Sequence, residues 1–263
     1  MPNNAENPSQ PTFTSLGVAA ELVDALADLG ITEAFSIQEL AIPLALDGRD
    51  LIGQARTGMG KTYAFGVPLL DRVFDDADIA ELDGTPRALV VVPTRELAVQ
   101  VGEDLERAAK YTPVRTATIY GGRPYEEQIE ALQRGVDVVV GTPGRLIDLF
   151  ERGELSLADV AVMVLDEADE MLDMGFLPDI EKIWGAVSED VQTMLFSATM
   201  PGPILTLARS KMRRPVHIRA ESGDAPATHS TTRQVAVSYT HLRAHETSLH
   251  LVCRLLLEKK KKK

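Results

Sequence analysis

The sequence predicts a doubly wound α/β domain with a mostly parallel sheet, on three observations. Seven short runs rich in Val, Ile and Leu recur at 50–54, 87–93, 115–120, 136–140, 160–166, 193–198 and 215–218. Stretches with helical spacing separate them, which is the alternation expected of βα units. The runs are apolar at nearly every position rather than at every second one, so both faces of each strand should be covered by helices. Ligands in such sheets bind outside the carboxyl ends of the strands. The residues that follow each run are therefore where chemistry is expected.

In chain order, "MPNNAENPSQPT" (1–12) is polar and lacks the basic-then-apolar pattern of a signal peptide, so it is expected to be a disordered leader. Leu16, Val18, Leu22, Val23, Leu26 and Leu29 follow at roughly helical spacing, and Gly30 should stop that helix. A second short helix is expected through Ile37 to Leu46. The strand at 50–54 runs into "ARTGMGKT" (55–62) and a further helix. Other helices are expected over Thr94 to Lys110 and Pro143 to Glu151. The compact domain thus spans 13–219, and the Ser-, Thr-, Pro- and Gly-rich stretch at 220–236 reads as a linker.

The last stretch, 237–263, is of a different character and ends in five lysines. "VSYTHLRAHET" and "LVCRLLLEKKKKK" resemble the two ends of a translated transposase-type sequencing adapter, so this tail is expected to be non-native. That reading is preferred to a metal site built from its histidines and Cys253.

Composition sets limits on function. The 263 residues, 44% apolar, suffice for a substantial core. The formal charge is −12, but 237–263 holds seven basic and two acidic side chains, so residues 1–236 carry 20 basic against 37 acidic. A body that acidic argues against a general basic surface for nucleic acid, and any RNA or DNA contact must come from local, shaped sites. The only cysteine lies in the tail, which fits a reducing cytoplasm and excludes disulfides from the body. No apolar run reaches the ~20 residues that span a bilayer, so no membrane partner is expected.

Two motifs carry chemistry. In "ARTGMGKT", Gly58 and Gly60 let backbone N–H groups converge on phosphate oxygens; Lys61 can reach the β/γ-phosphates, and the Thr62 hydroxyl can hold Mg²⁺ at the start of the next helix. Ala55 stands where the general pattern has its first glycine; Arg56, Thr57 and Met59 complete the loop. In "LDEAD" (165–169), Asp166 and Glu167 should reach the carboxyl edge of their strand beside that loop. Asp166 suits Mg²⁺, and Glu167 suits orienting and deprotonating an attacking water.

Together with these, "PTRELA" (93–98), Gly121–Gly122, "TPGR" (142–145) and "SAT" (197–199) occur in one order, after a glutamine at position 38. Over about residues 13–218 the chain resembles the first RecA-like, P-loop NTPase domain of the DEAD-box ATP-dependent RNA helicases. The resemblance implies ATP and Mg²⁺ as cofactors and RNA as partner. It implies that Gln38 reads the adenine edge, that Phe13 supports the base, and that Asp169, tied to Ser197 and Thr199, couples the nucleotide site to strand separation. RNA would be met by Pro93, Thr94, Arg95, Gly121, Gly122, Arg123, Thr142, Pro143, Gly144 and Arg145, largely through phosphate and 2′-hydroxyl contacts. Thr142 suits an N-cap with Pro143 at the first helical position. The chain departs from the family at Ile31, where an aromatic commonly stacks on adenine, and at Ala34–Phe35, which replace Pro–Thr. A second RecA-like domain supplying arginine fingers is implied but has no motif here. Two alternatives remain open: a nucleotide- and RNA-binding module without turnover, and a DNA helicase of the same superfamily. Oligomeric state is not readable.

Overall fold

The computed structural model describes residues 10–56, 58–75 and 83–220. Contacts divide the chain into two units, Met1–Pro226 and Ala227–Lys263. The second unit lies entirely outside the described residues, as do residues 1–9 of the expected leader, all of the linker after Ala220, and the tail.

All seven expected strands form one parallel sheet: β1 Leu51–Gln54, β2 Ala88–Val91, β3 Thr116–Ile119, β4 Val138–Gly141, β5 Val162–Leu165, β6 Gln192–Ser197 and β7 Val216–Arg219. Their spatial order is β3-β4-β2-β5-β6-β1-β7. The chain crosses the sheet in one direction from β1 to β3 and returns from β3 to β7. Right-handed crossovers then place α3 Lys61–Asp75 and α4 Arg95–Ala108 on one face. On the other lie α5 Tyr125–Gln133, α6 Pro143–Glu151, α7 Ala168–Asp173, α8 Leu177–Ala186 and α9 Gly202–Lys211.

The strand period of two divides the core accordingly. Leu51, Val90, Val140, Val164 and Phe196 pack with Phe65, Leu69 and Leu105 in one layer. Their strand neighbours Ile52, Val91, Val139, Leu165 and Leu195 pack with Leu146, Ile183 and Leu207 in the other. A leucine as buried as Leu105 contributes about 2 kcal/mol through its burial, and truncating it to alanine costs about 2–5 kcal/mol.

The amino-terminal region departs from expectation in two places. The first helix, α1, spans only Ala20–Asp28, because Leu16 belongs to a separate turn of 3₁₀-helix, Thr14–Leu16, that Gly17 closes in the left-handed region. The expected leader also ends early: Thr12 bridges Glu33, and the Ala34 N–H donates to the Pro11 carbonyl. That bridge pins the chain beside α2 Ser36–Leu46, which packs along α3.

Several buried polar side chains brace the amino-terminal edge of the sheet. Asp50 accepts from the Thr193 and Arg213 N–H groups, Asp137 pairs with Arg115, and Gln192 donates to the Ala45 and Arg49 carbonyls. Burial without such partners would cost about 1–3 kcal/mol per group. Four other buried polar side chains, Gln38, Lys61, Asp166 and Ser197, gather around the carboxyl edge.

Candidate active site and nucleic-acid face

The turn from β1 into α3 carries the glycine-rich loop. Gly58 and Gly60 adopt φ of +84° and +78°, which L side chains rarely adopt. Gly60 is also closely approached: an added Cβ would lie 2.6 Å from Gln38 Nε2 and 2.7 Å from a Phe35 ring carbon. Ala55 is buried, Met59 packs on the first core layer and Arg56 is exposed. Thr57 lies outside the described residues. Lys61 and Thr62 open α3, so free N–H groups and the positive end of the helix dipole face the loop.

β5 delivers the carboxylates. Lys61 Nζ donates to Glu167 Oε1 at 2.7 Å and lies 3.9 Å from Asp166 Oδ1. Both charges on the near pair are shielded, with side-chain exposures of 5% and 12%. Burial pushes the Asp166 carboxyl up to about 7; Lys61 opposes that rise and Glu167 adds to it. Glu167 itself sits at φ 51°, ψ 50°, a left-handed conformation costly for a residue with a Cβ, and its N–H donates to Asp166 Oδ1. The strained turn aims Glu167 across the intervening strand β6 at the lysine.

Among the described residues no cluster of three or more His, Cys, Asp or Glu side chains could cage a metal. Mg²⁺ does not require one: it binds through one or two protein oxygens with phosphate and water completing its shell. The buried Asp166 carboxylate beside Lys61, with Thr62 at the start of α3, is a hard oxygen donor set that fits this ion.

Asp169, in the first turn of α7, links this site to the end of β6. Its N–H donates to Ser197 Oγ at 3.1 Å, while its Oδ2 accepts from the Thr199 N–H at 2.8 Å and from Thr199 Oγ1 at 2.7 Å. Burial raises the Asp169 carboxyl, but the bonds from Ser197 and Thr199 outweigh it and hold the group below its ordinary value.

Gln38 is fully buried, with its carboxamide engaged inside the protein: Oε1 accepts from the Phe35 N–H and Nε2 donates to the Gly60 carbonyl, both at 2.9 Å. These bonds brace the glycine loop against the start of α2. Phe13 is likewise core, 1% exposed, and can support a base only through its neighbours. Ile31 packs against the core, whereas Phe35 is an exposed apolar residue beside the loop.

The loops after β2, β3 and β4 meet in a cleft of about 570 Å³ whose lining includes Pro93, Thr94, Arg95, Gly121, Thr142, Gly144 and Arg145. Thr94 caps α4, its Oγ1 accepting from the Leu97 N–H at 3.3 Å. Thr142 occupies the cap position of α6 before Pro143, but its side chain makes no cap bond. Gly122, at φ +84°, turns directly beneath Arg95, whose Nη1 would lie 2.6 Å from an added Cβ. Arg123 is exposed and pairs with Glu127. All ten residues expected to meet RNA therefore lie in these three loops and the helix starts that follow.

Sequence reasoning missed several residues here. Gln128 is 1% exposed; it accepts from the Tyr120 N–H at 3.0 Å and donates toward the Tyr120, Arg123 and Pro124 carbonyls, fixing the Gly121–Arg123 turn. Tyr125, Asp148, Met174 and Phe176 also line the cleft. Gln128 could have been suspected as a polar residue where α5 should face the sheet; the other four carried no signal.

Residues 35–207 match the DEAD/DEAH box helicase family. The chain is 46% identical over 234 residues to a DEAD-box ATP-dependent RNA helicase CshA of Streptococcus pneumoniae serotype 4, covering 89% of this chain and 43% of that protein. A CshA of Bacillus cereus (strain ATCC 10987) is 49% identical over 211 residues, which is 80% of this chain and 39% of that protein. A crystal structure of a DEAD box protein from Methanococcus jannaschii superimposes with a TM-score of 0.74 at 40% identity, covering 80% of this chain and 56% of that one. A hypothetical ATP-dependent RNA helicase from Sulfolobus tokodaii gives 0.69 at 35% identity, with 76% and 56% covered. This chain spans less than half the length of these curated relatives. Its parallel RecA-like sheet, its phosphate loop facing the Asp166–Glu167 pair and these matches make it a member of the DEAD/DEAH box helicase family.

Proposed function

We propose that this chain forms the ATP-binding half of an ATP-dependent RNA helicase, coupling ATP–Mg²⁺ binding and hydrolysis to local separation of RNA duplexes. The observation that carries the reading is the meeting of Lys61, Asp166 and Glu167 at one sheet edge, joined by Asp169 to Ser197 and Thr199. Lys61 would stabilise charge on the β/γ-phosphates, and Thr62 and Asp166 would hold Mg²⁺, which when bound neutralises charge on the phosphate oxygens. An incoming phosphate competes with Glu167 for the Lys61 ammonium. When Lys61 changes partner, its hold on the Glu167 carboxylate is lifted, and Glu167 would orient water and accept its proton. Gln38 would move from the Gly60 carbonyl toward adenine, and Arg95, Arg123 and Arg145, with the N–H groups at the α6 start, would grip RNA phosphates.

A second RecA-like domain would complete the site with arginine fingers. Without it, residues 13–219 by themselves should bind ATP–Mg²⁺ weakly and turn over ~10³-fold or more slowly. The alternative of a nucleotide- and RNA-binding module without turnover would apply to residues 13–219 acting alone. The test is ATP hydrolysis by the complete enzyme with RNA or DNA of the same sequence. Stimulation by RNA and not DNA is expected; equal stimulation would favour a DNA helicase, and none would overturn the reading.

A further inference from the structure

The α6 arginine at the proposed RNA face is held by a device outside every motif. We propose that Tyr125 is a positioning residue that holds Arg145 ready for an RNA phosphate, an inference that rests on the reading of this cleft as the RNA site. The Tyr125 ring lies between two guanidinium groups, with the Arg145 Cζ 3.9 Å and the Arg152 Cζ 4.2 Å from its centroid. Arg145, Asp148 and Arg152 recur at i, i+3 and i+7 from the first turn of α6 to its carboxyl cap, so they share the helix face that meets Tyr125 at the start of α5.

The ring is itself fixed. Its hydroxyl donates to Asp148 Oδ2, and Asp148 Oδ1 accepts from Arg152 Nε at 3.0 Å. The Tyr125 hydroxyl, ahead of Arg152, holds the Asp148 carboxyl below its ordinary range, so this anchor stays ionised. Arg145 is treated differently from its neighbours. Arg123 pairs with Glu127 and Arg152 with Asp148, whereas Arg145 forms no salt bridge among the described residues. It is held by the ring face and by one bond from Nη1 to the Arg123 carbonyl at 3.0 Å. Asp148 is paired with Arg152, which keeps this carboxylate from capturing Arg145 whether or not the ring carries its hydroxyl. The remaining N–H donors of a cation that is oriented but not neutralised are what a phosphate oxygen requires.

The test is binding of a fluorescent single-stranded RNA to the full 263-residue chain, with Mg²⁺ and a non-hydrolysable ATP analogue present, alongside direct titration of the analogue. Tyr125→Leu should raise the RNA Kd about three- to tenfold and leave nucleotide affinity unchanged. Tyr125→Phe keeps the ring and should restore RNA affinity to within about twofold. Arg145→Ala should weaken RNA binding at least as much, and adding Tyr125→Leu to it should have no further effect. If Arg145→Ala weakens RNA binding but Tyr125→Leu does not, or if Tyr125→Phe fails to rescue it, the positioning role is overturned and the RNA face stands. If Arg145→Ala has no effect, or if the unaltered chain shows no saturable RNA binding, the reading of the cleft falls and the inference with it.

Discussion

Replacing Glu167 by glutamine should tighten nucleotide binding while stopping hydrolysis, because the lysine meant for phosphate is held by Glu167 when no nucleotide is bound. The contact is a 2.7 Å bond between side chains 5% and 12% exposed, so solvent screens it little. A hydrogen bond to a charged partner contributes about 1.5–3 kcal/mol, against about 0.5–1.5 kcal/mol for a neutral one. Glutamine keeps the shape and an acceptor oxygen but loses the charge, so freeing Lys61 becomes easier by about 1–1.5 kcal/mol. ATP affinity should therefore rise about five- to tenfold. Titration with a fluorescent ATP analogue in EDTA isolates this effect, since a bound cation would respond to the lost carboxylate with the opposite sign. In the complete enzyme the same change should lower kcat by about 10²–10⁴, the usual share of a general base. An unchanged or weakened affinity in EDTA would refute the competition between Glu167 and phosphate for Lys61. Normal turnover would refute the role given to Glu167.

Gly60→Ala should abolish nucleotide binding and lower the melting temperature, since its Cβ would meet Gln38 and Phe35 at φ +78°; wild-type affinity by the same titration would mean that the loop is open in solution. Gln38→Ala removes two hydrogen bonds, from the Phe35 N–H and to the Gly60 carbonyl, and should cost about 1–3 kcal/mol in denaturant unfolding, and it should narrow any preference for ATP over GTP in competition binding. An undiminished preference would exclude Gln38 from reading the base. Sequencing of the coding DNA across the codons for Gln234–Leu242 should show a frame that departs from "VSYTHLRAHET"; recovery of that stretch unchanged would make the tail genuine.

The sheet was legible because its inner strands β2, β4 and β5 are buried on both faces and so read as apolar runs; the edge strands β3 and β7 are partly exposed and mixed in composition, yet each strand lies within a residue or two of its expected place. The candidate site was legible because the pattern that suggests phosphate binding sets glycines, a lysine and carboxylates directly after particular strands, and Lys61 and Glu167 do meet. Side-chain partners were not. Gln38 looks the same in sequence whether its carboxamide meets adenine or, as here, Gly60 and Phe35. The early start of order at Pro11–Thr12 depends on a bridge to Glu33, a long-range pairing that local pattern does not encode. Tyr125 carried no signal in the sequence, because its relation to Arg145 and Arg152 exists only once α5 and α6 pack side by side. The motif suggests Glu167 as a candidate base, but its left-handed backbone and its bond to Lys61 required coordinates.

Lys61, reaching from the glycine loop toward the Asp166–Glu167 pair, is proposed to make this edge an ATP–Mg²⁺ site. Calorimetric titration of ATP–Mg²⁺ into the chain and into Lys61→Ala, with circular dichroism to verify that both are folded, tests it most directly. Saturable one-to-one binding to the parent and none to the folded variant is expected; equal binding to both, or none to the parent, would rule out this role of Lys61.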